Sequence, residues 1–160
     1  IQLAVCLVKK NPLETIFQKA TELGVNKIIP LISERTEVKD LNYERAKKIV
    51  IEATEQSNQL IPPAISKVTK LKNFLESLDQ STKLLFADIN SKNNLDIKDF
   101  KEVKSLCVLI GPEGDFTPKE RETILSKTNT IPFSLSNNIL RADTATISAI
   151  SLINFVLSDH

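Results

Sequence analysis

The 160-residue chain contains no methionine and no tryptophan, one tyrosine, one histidine, two cysteines and three glycines. Each shortage excludes something. The single histidine is the last residue, His160, so neither a histidine-dependent catalytic triad nor a histidine-bearing zinc site can be assembled. Cys6 and Cys107 have no metal-ligand spacing, and each lies in an apolar, strand-like run. That arrangement predicts two buried, reduced thiols rather than a disulfide, no bound metal, and a cytoplasmic protein. No apolar run approaches the roughly 18 residues needed to cross a bilayer, so no membrane partner is expected. No signal-peptide pattern stands at the start. With Ile1 first and no Met anywhere, the sequence reads as processed or excised, which leaves room for a missing N-terminal domain. The formal net charge of +1 argues against a strongly electrostatic nucleic-acid binder. A basic surface on another domain or across a subunit interface would still allow RNA.

What is present suffices for one domain with a real core: the apolar fraction is 41% over this length. Residues 1–8 are too continuously apolar for a solvated edge strand. Asn11-Pro12-Leu13-Glu14 predicts a helix start, with Asn11 at the cap and Glu14 reaching back. Leu13, Ile16, Phe17, Ala20 and Leu23 share one helical face, and Gly24 is placed to end it. A second strand is expected over 25–32, with Pro30 suggesting an edge or a bend. A helix over 42–59 would turn Ala46, Ile49, Val50 and Ala53 inward. Short strands are expected at 64–68, 84–87, 106–110 and 131–135, and helices at 71–78 and 118–126. Residues 90–96 read as a loop. The last helix, 144–157, carries Ala145, Ile147, Ala149, Ile150, Ile153, Val156 and Leu157, and is apolar over more than one face. Strand and helix alternate, which predicts an α/β domain with a mostly parallel sheet flanked by helices. In such sheets ligands sit beyond the C-terminal strand ends.

Two of the three glycines stand at one such end, in Ile110-Gly111-Pro112-Glu113-Gly114. Pro112 has no amide hydrogen and glycine permits positive φ, so the strand must stop there. Thr117-Pro118-Lys119-Glu120 comes next as a capping box with proline at the first helical position. Two readings stand: the glycines make the corner, or a bare backbone lets a flat ligand approach. The dinucleotide fingerprint and the phosphate loop are both absent. A second constellation, residues 135–145, lies after another strand end. It holds Arg141, one of only four arginines with Arg35, Arg45 and Arg121. Its apolar neighbours Ile139 and Leu140 predict a half-buried guanidinium in need of an anionic or oxygen-rich partner. That partner is either Asp143 or Glu113 in a structural ion pair, or a bound substrate.

Ile110-Gly111-Pro112-Glu113-Gly114-Asp115-Phe116-Thr117 together with Ile139-Leu140-Arg141-Ala142-Asp143-Thr144-Ala145 resembles the ribosomal RNA uracil-N3 methyltransferase family of the SPOUT class. Gln18-Lys19-Ala20-Thr21-Glu22-Leu23-Gly24-Val25 and Glu52-Ala53-Thr54-Glu55-Gln56-Ser57 are similar to it as well, so the likeness spans nearly the whole chain. The chain departs from the family pattern at Asp115, where a second glycine is usual, and at Asn138 and Gln59, where arginines are usual. Asp143 replaces a glutamate.

The resemblance implies an α/β fold over 1–160 that ends in a deep trefoil knot, without the N-terminal β-barrel that the family usually carries. It implies S-adenosylmethionine as methyl donor, folded into a pocket made by the loops after 84–87, 106–110 and 131–135. The expected cofactor-binding residues are Phe86, Ala87, Ile110, Gly111, Gly114, Leu135, Ser136, Ile139, Leu140, Thr144 and Ala145. Main-chain groups of Ile110, Gly111, Leu135 and Leu140 would bond the adenine and ribose, with Gly111 and Gly114 leaving room beside them. Arg141 would stabilise charge developing on the uracil carbonyl oxygens. Glu113 would serve as general base or, alternatively, bond nearby backbone amides. The implied partners are 16S rRNA of the small subunit and a second copy of the chain, paired through the last helix; the alternative for that helix is simple burial. Two other activities fit the same scaffold: methylation of another RNA position or ribose hydroxyl, and non-catalytic RNA binding.

Overall fold

The apolar runs become parallel strands because both of their faces are covered. The computed structural model describes residues 1–100 and 103–158; the lone histidine, His160, lies outside them. Among the described residues, β1 (Gln2–Cys6), β2 (Lys27–Ile32), β3 (Ala64–Ile65), β4 (Thr69–Lys70), β5 (Thr82–Ala87), β6 (Ser105–Ile110) and β7 (Thr130–Phe133) form one sheet. Its order is β3-β2-β1-β6-β5-β7, with β4 also on β2, and every pairing is parallel. Five helices lie on it: α1 (Lys10–Glu22), α2 (Tyr43–Gln56), α3 (Leu71–Ser77), α4 (Pro118–Ser126) and α5 (Ala142–Ser158). The expected α/β architecture is present.

Alternation sorts each strand between two cores. Leu3, Val5, Leu85, Val108 and Ile110 point to the face covered by α1, α2 and α5, where Ile16, Phe17, Val50, Ile150 and Ile153 meet them. Ala4, Cys6, Leu84, Phe86, Cys107 and Leu109 point to the other face, against Leu71, Phe74 and Leu75 of α3 and Ile124 of α4. Side chains such as Ile16 and Phe17, at 0% and 1% exposure, each contribute about 1.5–3 kcal/mol by burial. From the edge strand β7 the chain returns across the sheet, so that α5 packs on β6 and α1. This return path agrees with the knotted C-terminus that the resemblance implies.

Several boundaries differ from the sequence reading. Helix α1 starts two residues early, with Lys9 as N-cap and no side-chain cap. Asn11 is therefore already helical and only its carbonyl is used, by Thr15, while Glu14 bonds Arg45 of α2 instead of reaching back. At the other end the reading holds. Gly24 has φ +89°, and Val25 N–H to Ala20 O with Gly24 N–H to Thr21 O forms a Schellman closure. Helix α2 does begin at an Asn42 cap, which accepts from Arg45 N–H, yet it ends at Gln56. Asn58, with φ +57°, closes it in the same manner. The strand expected over 64–68 is only Ala64–Ile65, and a second short piece, Thr69–Lys70, lies beyond it. They pair with Lys27–Ile28 and Leu31–Ile32 and leave a gap opposite Ile29-Pro30. Pro30 itself is buried and pairs with Val5, so it marks an interrupted ladder rather than the sheet edge.

Candidate active site

Because all strands run the same way, their C-terminal ends open on one edge, and a cavity of about 1020 Å³ lies there. It is lined by Lys9, Lys10, Asn11 and Pro12 after β1, by Ala87, Asp88 and Ile89 after β5, and by residues 110–115 after β6. Leu135, Ser136, Asn138, Ile139 and Leu140 after β7, with Arg141, Ala142, Asp143 and Ala145 at the start of α5, complete it. Eleven of the thirteen predicted site residues are among these: Arg141, Glu113, Ala87, Ile110, Gly111, Gly114, Leu135, Ser136, Ile139, Leu140 and Ala145. Phe86 and Thr144 are not. Strand alternation turns Phe86 into the opposite core, where its ring meets that of Phe116 edge-on at 5.8 Å. Thr144 points to solvent on the outer side of α5.

The glycine turn is built by local bonds. Asp115 N–H donates to Pro112 O at 2.9 Å, and Asp115 takes φ +63°. A left-handed residue explains why glycine suits this place, and aspartate tolerates it by accepting from Phe116 N–H through Oδ1 at 2.8 Å. Gly111 is required for an internal reason. A Cβ there would stand 3.0 Å from the Phe116 ring, so the space it leaves belongs to Phe116. A Cβ on Gly114 would meet Arg35 only at an ordinary 3.6 Å. Room for a ligand is thus not what either missing side chain supplies directly.

Arg141 is more open than expected. Its side chain is 73% exposed, and its Nε lies 3.5 Å from Asp143 Oδ1. That contact is an ion pair without a hydrogen bond, for Asp143 Oδ1 is buried and has no hydrogen-bond partner. Glu113 is exposed and makes no hydrogen bond among the described residues, so the backbone-bonding role is taken by Asp115 instead. Asn138 is exposed at the cavity. Gln59, where the resemblance leads one to expect an arginine, is structural here: its Nε2 donates to Thr21 O at 2.7 Å and to Glu22 O at 3.3 Å, sealing the end of α1.

Two features were not singled out from the sequence. Lys9 and Lys10 bring cations to the cavity, and Asp88 is fixed there by Arg121 through a two-point pair at 3.2 and 2.8 Å. Asp88 is only 3% exposed on its side chain, and the bond to it raises the Arg121 pKa. Both carry the signal that exposes the glycine turn: Lys9 and Asp88 are the first charged residues beyond the apolar runs that become β1 and β5. The two thiols are remote from this chemistry. Burial pushes both Cys6 and Cys107 up to about 12. Among the described residues no acidic, cysteine or histidine cluster could hold a metal, and no helix is long and apolar enough to cross a membrane.

Donors and acceptors facing the cavity suit a polar organic ligand. Outside the helix and strand ladders, no described protein group bonds the main chain of Gly111, Leu135, Ile139 or Leu140, and Asp143 Oδ1 also waits for a donor. A parallel α/β sheet whose C-terminal edge forms such a pocket, closed by a returning C-terminal helix, is the architecture of the SPOUT class. The chain belongs to the RNA methyltransferase domain family, whose profile matches residues 1–154. It is 39% identical to ribosomal RNA small subunit methyltransferase E of Rickettsia conorii over 163 residues, covering 100% of this chain and 66% of that protein. With the protein of the same name from Aquifex aeolicus it shares 36% over 156 residues, 92% of this chain and 65% of the relative. The chain thus spans about two thirds of the length of these relatives. A crystal structure of ribosomal RNA small subunit methyltransferase E from Neisseria gonorrhoeae bound to S-adenosyl methionine superposes with a TM-score of 0.88 at 27% identity. It covers 97% of this chain and 65% of that one.

Proposed function

We propose that this domain binds S-adenosylmethionine in the 1020 Å³ cavity and methylates N3 of a uridine in 16S rRNA of the small ribosomal subunit. The observation that carries the reading is the free main chain of Gly111, Leu135, Ile139 and Leu140 around a cavity that also presents Arg141. Peptide edges recognise adenine and ribose without needing charged side chains, and the volume matches a cofactor-sized ligand. The relative of the same fold solved with S-adenosyl methionine supports it. Bound there, the sulfonium supplies an activated methyl group; the protein supplies alignment and electrostatics. Asp143 Oδ1 accepts a donor from the ligand, Arg141 faces the charge developing on the uracil, and Glu113 takes the proton that N3 must lose.

Calorimetry with S-adenosylmethionine, followed by methyl transfer to small-subunit RNA and nucleoside analysis, tests the reading. Saturable heat and 3-methyluridine are expected. Heat without product, using the complete protein and intact subunits, would favour RNA binding alone; a different methylated nucleoside would move the target.

We also place a second copy of the chain on α5. Its inner face is buried as the simple reading requires, with Ala149, Ile150 and Ile153 at 0%, yet Phe155 is 66% exposed. Leu60 and Ile61, at 96% and 80%, flank the same end of α1: Gln59 and Asn154, their immediate neighbours, bond the carbonyls of Thr21 to Leu23. Large apolar groups exposed near one end of the fold are what such an interface would cover. Light scattering at micromolar concentration should give twice the chain mass, and Phe155→Glu should give the single mass.

A further inference from the structure

A second cavity, of about 370 Å³, lies on the other side of the glycine turn. Pro112, Glu113 and Gly114 line both spaces, so the two adjoin at the turn. The floor of the smaller space is apolar: Leu7 and Val8 are 1% and 2% exposed, and Val38 is half-buried. Its rim carries Arg35 with three carboxylates, Glu34, Glu37 and Glu113.

Arg45, Arg121 and Arg141 each face a carboxylate within 4 Å. Among the described residues Arg35 does not. Its Nη1 donates to the Gly114 carbonyl at 3.0 Å, and the other N–H groups of the guanidinium make no bond to described residues. Three carboxylates beside one guanidinium repel a phosphate. A neutral ring edge that offers both an N–H and a carbonyl satisfies both signs at once. Uracil has that edge, with N3–H between two carbonyl oxygens. The volume stands at the small end of ligand sites and suits one base rather than a whole cofactor.

We propose that this second cavity receives the acceptor uracil with its N3 edge turned toward the larger one, Arg35 donating to a ring carbonyl and Glu113, which lines both spaces, accepting the N3–H. The proposal rests on the methyl-transfer reading and gives it an acceptor side. On transfer, the N3–H bond breaks and its proton passes to the Glu113 carboxylate. The N3 electron pair forms the new bond to the methyl carbon, and the pair of the broken C–S bond stays on sulfur, turning sulfonium into thioether. Glu113 then releases the proton to water. Nothing is oxidised or reduced.

The test is a titration of isotopically labelled protein monitored by NMR, with uridine, 3-methyluridine, cytidine and guanosine as probes. Uridine should shift resonances of residues 33–38 and 112–114. 3-Methyluridine, which lacks the N3 proton, and cytidine, with donor and acceptor reversed, should bind at least about tenfold more weakly. Arg35→Gln should weaken uridine by a similar factor while S-adenosylmethionine affinity, read by calorimetry, stays within about threefold. Arg35→Lys, which can keep the Gly114 bond, separates turn support from base recognition: it should retain the fold and still bind uridine poorly. Indifference among the four nucleosides, a preference for guanosine, or shifts confined to the larger cavity would overturn the proposal. Equal losses of uridine and S-adenosylmethionine binding in Arg35→Gln would also overturn it, leaving Arg35 only as a prop for the turn. Failure of the unaltered protein to bind S-adenosylmethionine is read separately and counts against the methyl-transfer reading.

Discussion

The Phe116 ring fills the place where Gly111 would carry a side chain, then packs edge-on against Phe86 in the core below. The turn is therefore shaped from beneath. Gly111→Ala forces that ring to move, and overpacking of this kind costs about 1–3 kcal/mol. A fall of about 2–12 °C in melting temperature is expected, with part recovered by Phe116→Leu in the same chain. Asp115, at φ +63°, occupies the position of a family glycine without breaking the turn, because its carboxylate bonds the next amide. Arg141 has no role in folding that its 73% exposure would support. Arg141→Ala should lower kcat at least about 100-fold, the scale of a lost oxyanion donor, with S-adenosylmethionine affinity within about threefold. Matched losses in single-turnover rate and affinity would move Arg141 into the binding shell.

At the scale of elements, the ends facing the cavity are tied to one another. Glu120 completes the capping box of α4, its Oε1 accepting from Thr117 N–H at 3.0 Å, while Oε2 accepts from Glu34 N–H at 3.1 Å. One carboxylate thus fixes both the helix start and the loop after β2. Thr117→Ala should cost about 1 kcal/mol, as caps do. Glu120→Ala should cost more and should also loosen residues 33–36, visible as faster amide exchange there but not in β5. The bounds of α4 were readable to the residue because its signals are local: a threonine, a proline and a glutamate in fixed order. The start of α1 was not, since Glu14 found Arg45 on a neighbouring helix, and no short-range pattern reports that competition. Likewise the break between β3 and β4 arises from pairing with β2.

For the molecule as a whole, the two cores meet through a sheet that buries one thiol in β1 and another in β6. Both are held neutral up to about 12, against 9.0 for an ordinary thiol. A raised thiol pKa favours the folded state while the unfolded chain is still protonated, so its contribution is intact below about pH 9. It is lost as the pH climbs toward 12 and only the unfolded thiols ionise. Urea midpoints should therefore drop steeply between about pH 9 and 11, and Cys107→Ala should flatten that drop. The native protein should resist a disulfide-exchange reagent at about pH 8 until denatured.

Most of the larger cavity was visible in sequence because strand-end loops in a parallel sheet must gather on one edge; eleven of thirteen expected residues line it. Chemistry-bearing motifs are short and contiguous, so composition and order were enough to find them. The side on which a residue stands was not so readable. Phe86 and Thr144 sit one step out of register with the pocket, turned away by the alternation of β5 and by the winding of α5. Nor could a linear reading see Arg35 close on Gly114, seventy-nine residues away, since that contact exists only once β1 and β6 lie side by side. Sequence settled which pieces could make a site; packing decided which atoms face it, because orientation depends on partners that local order does not specify.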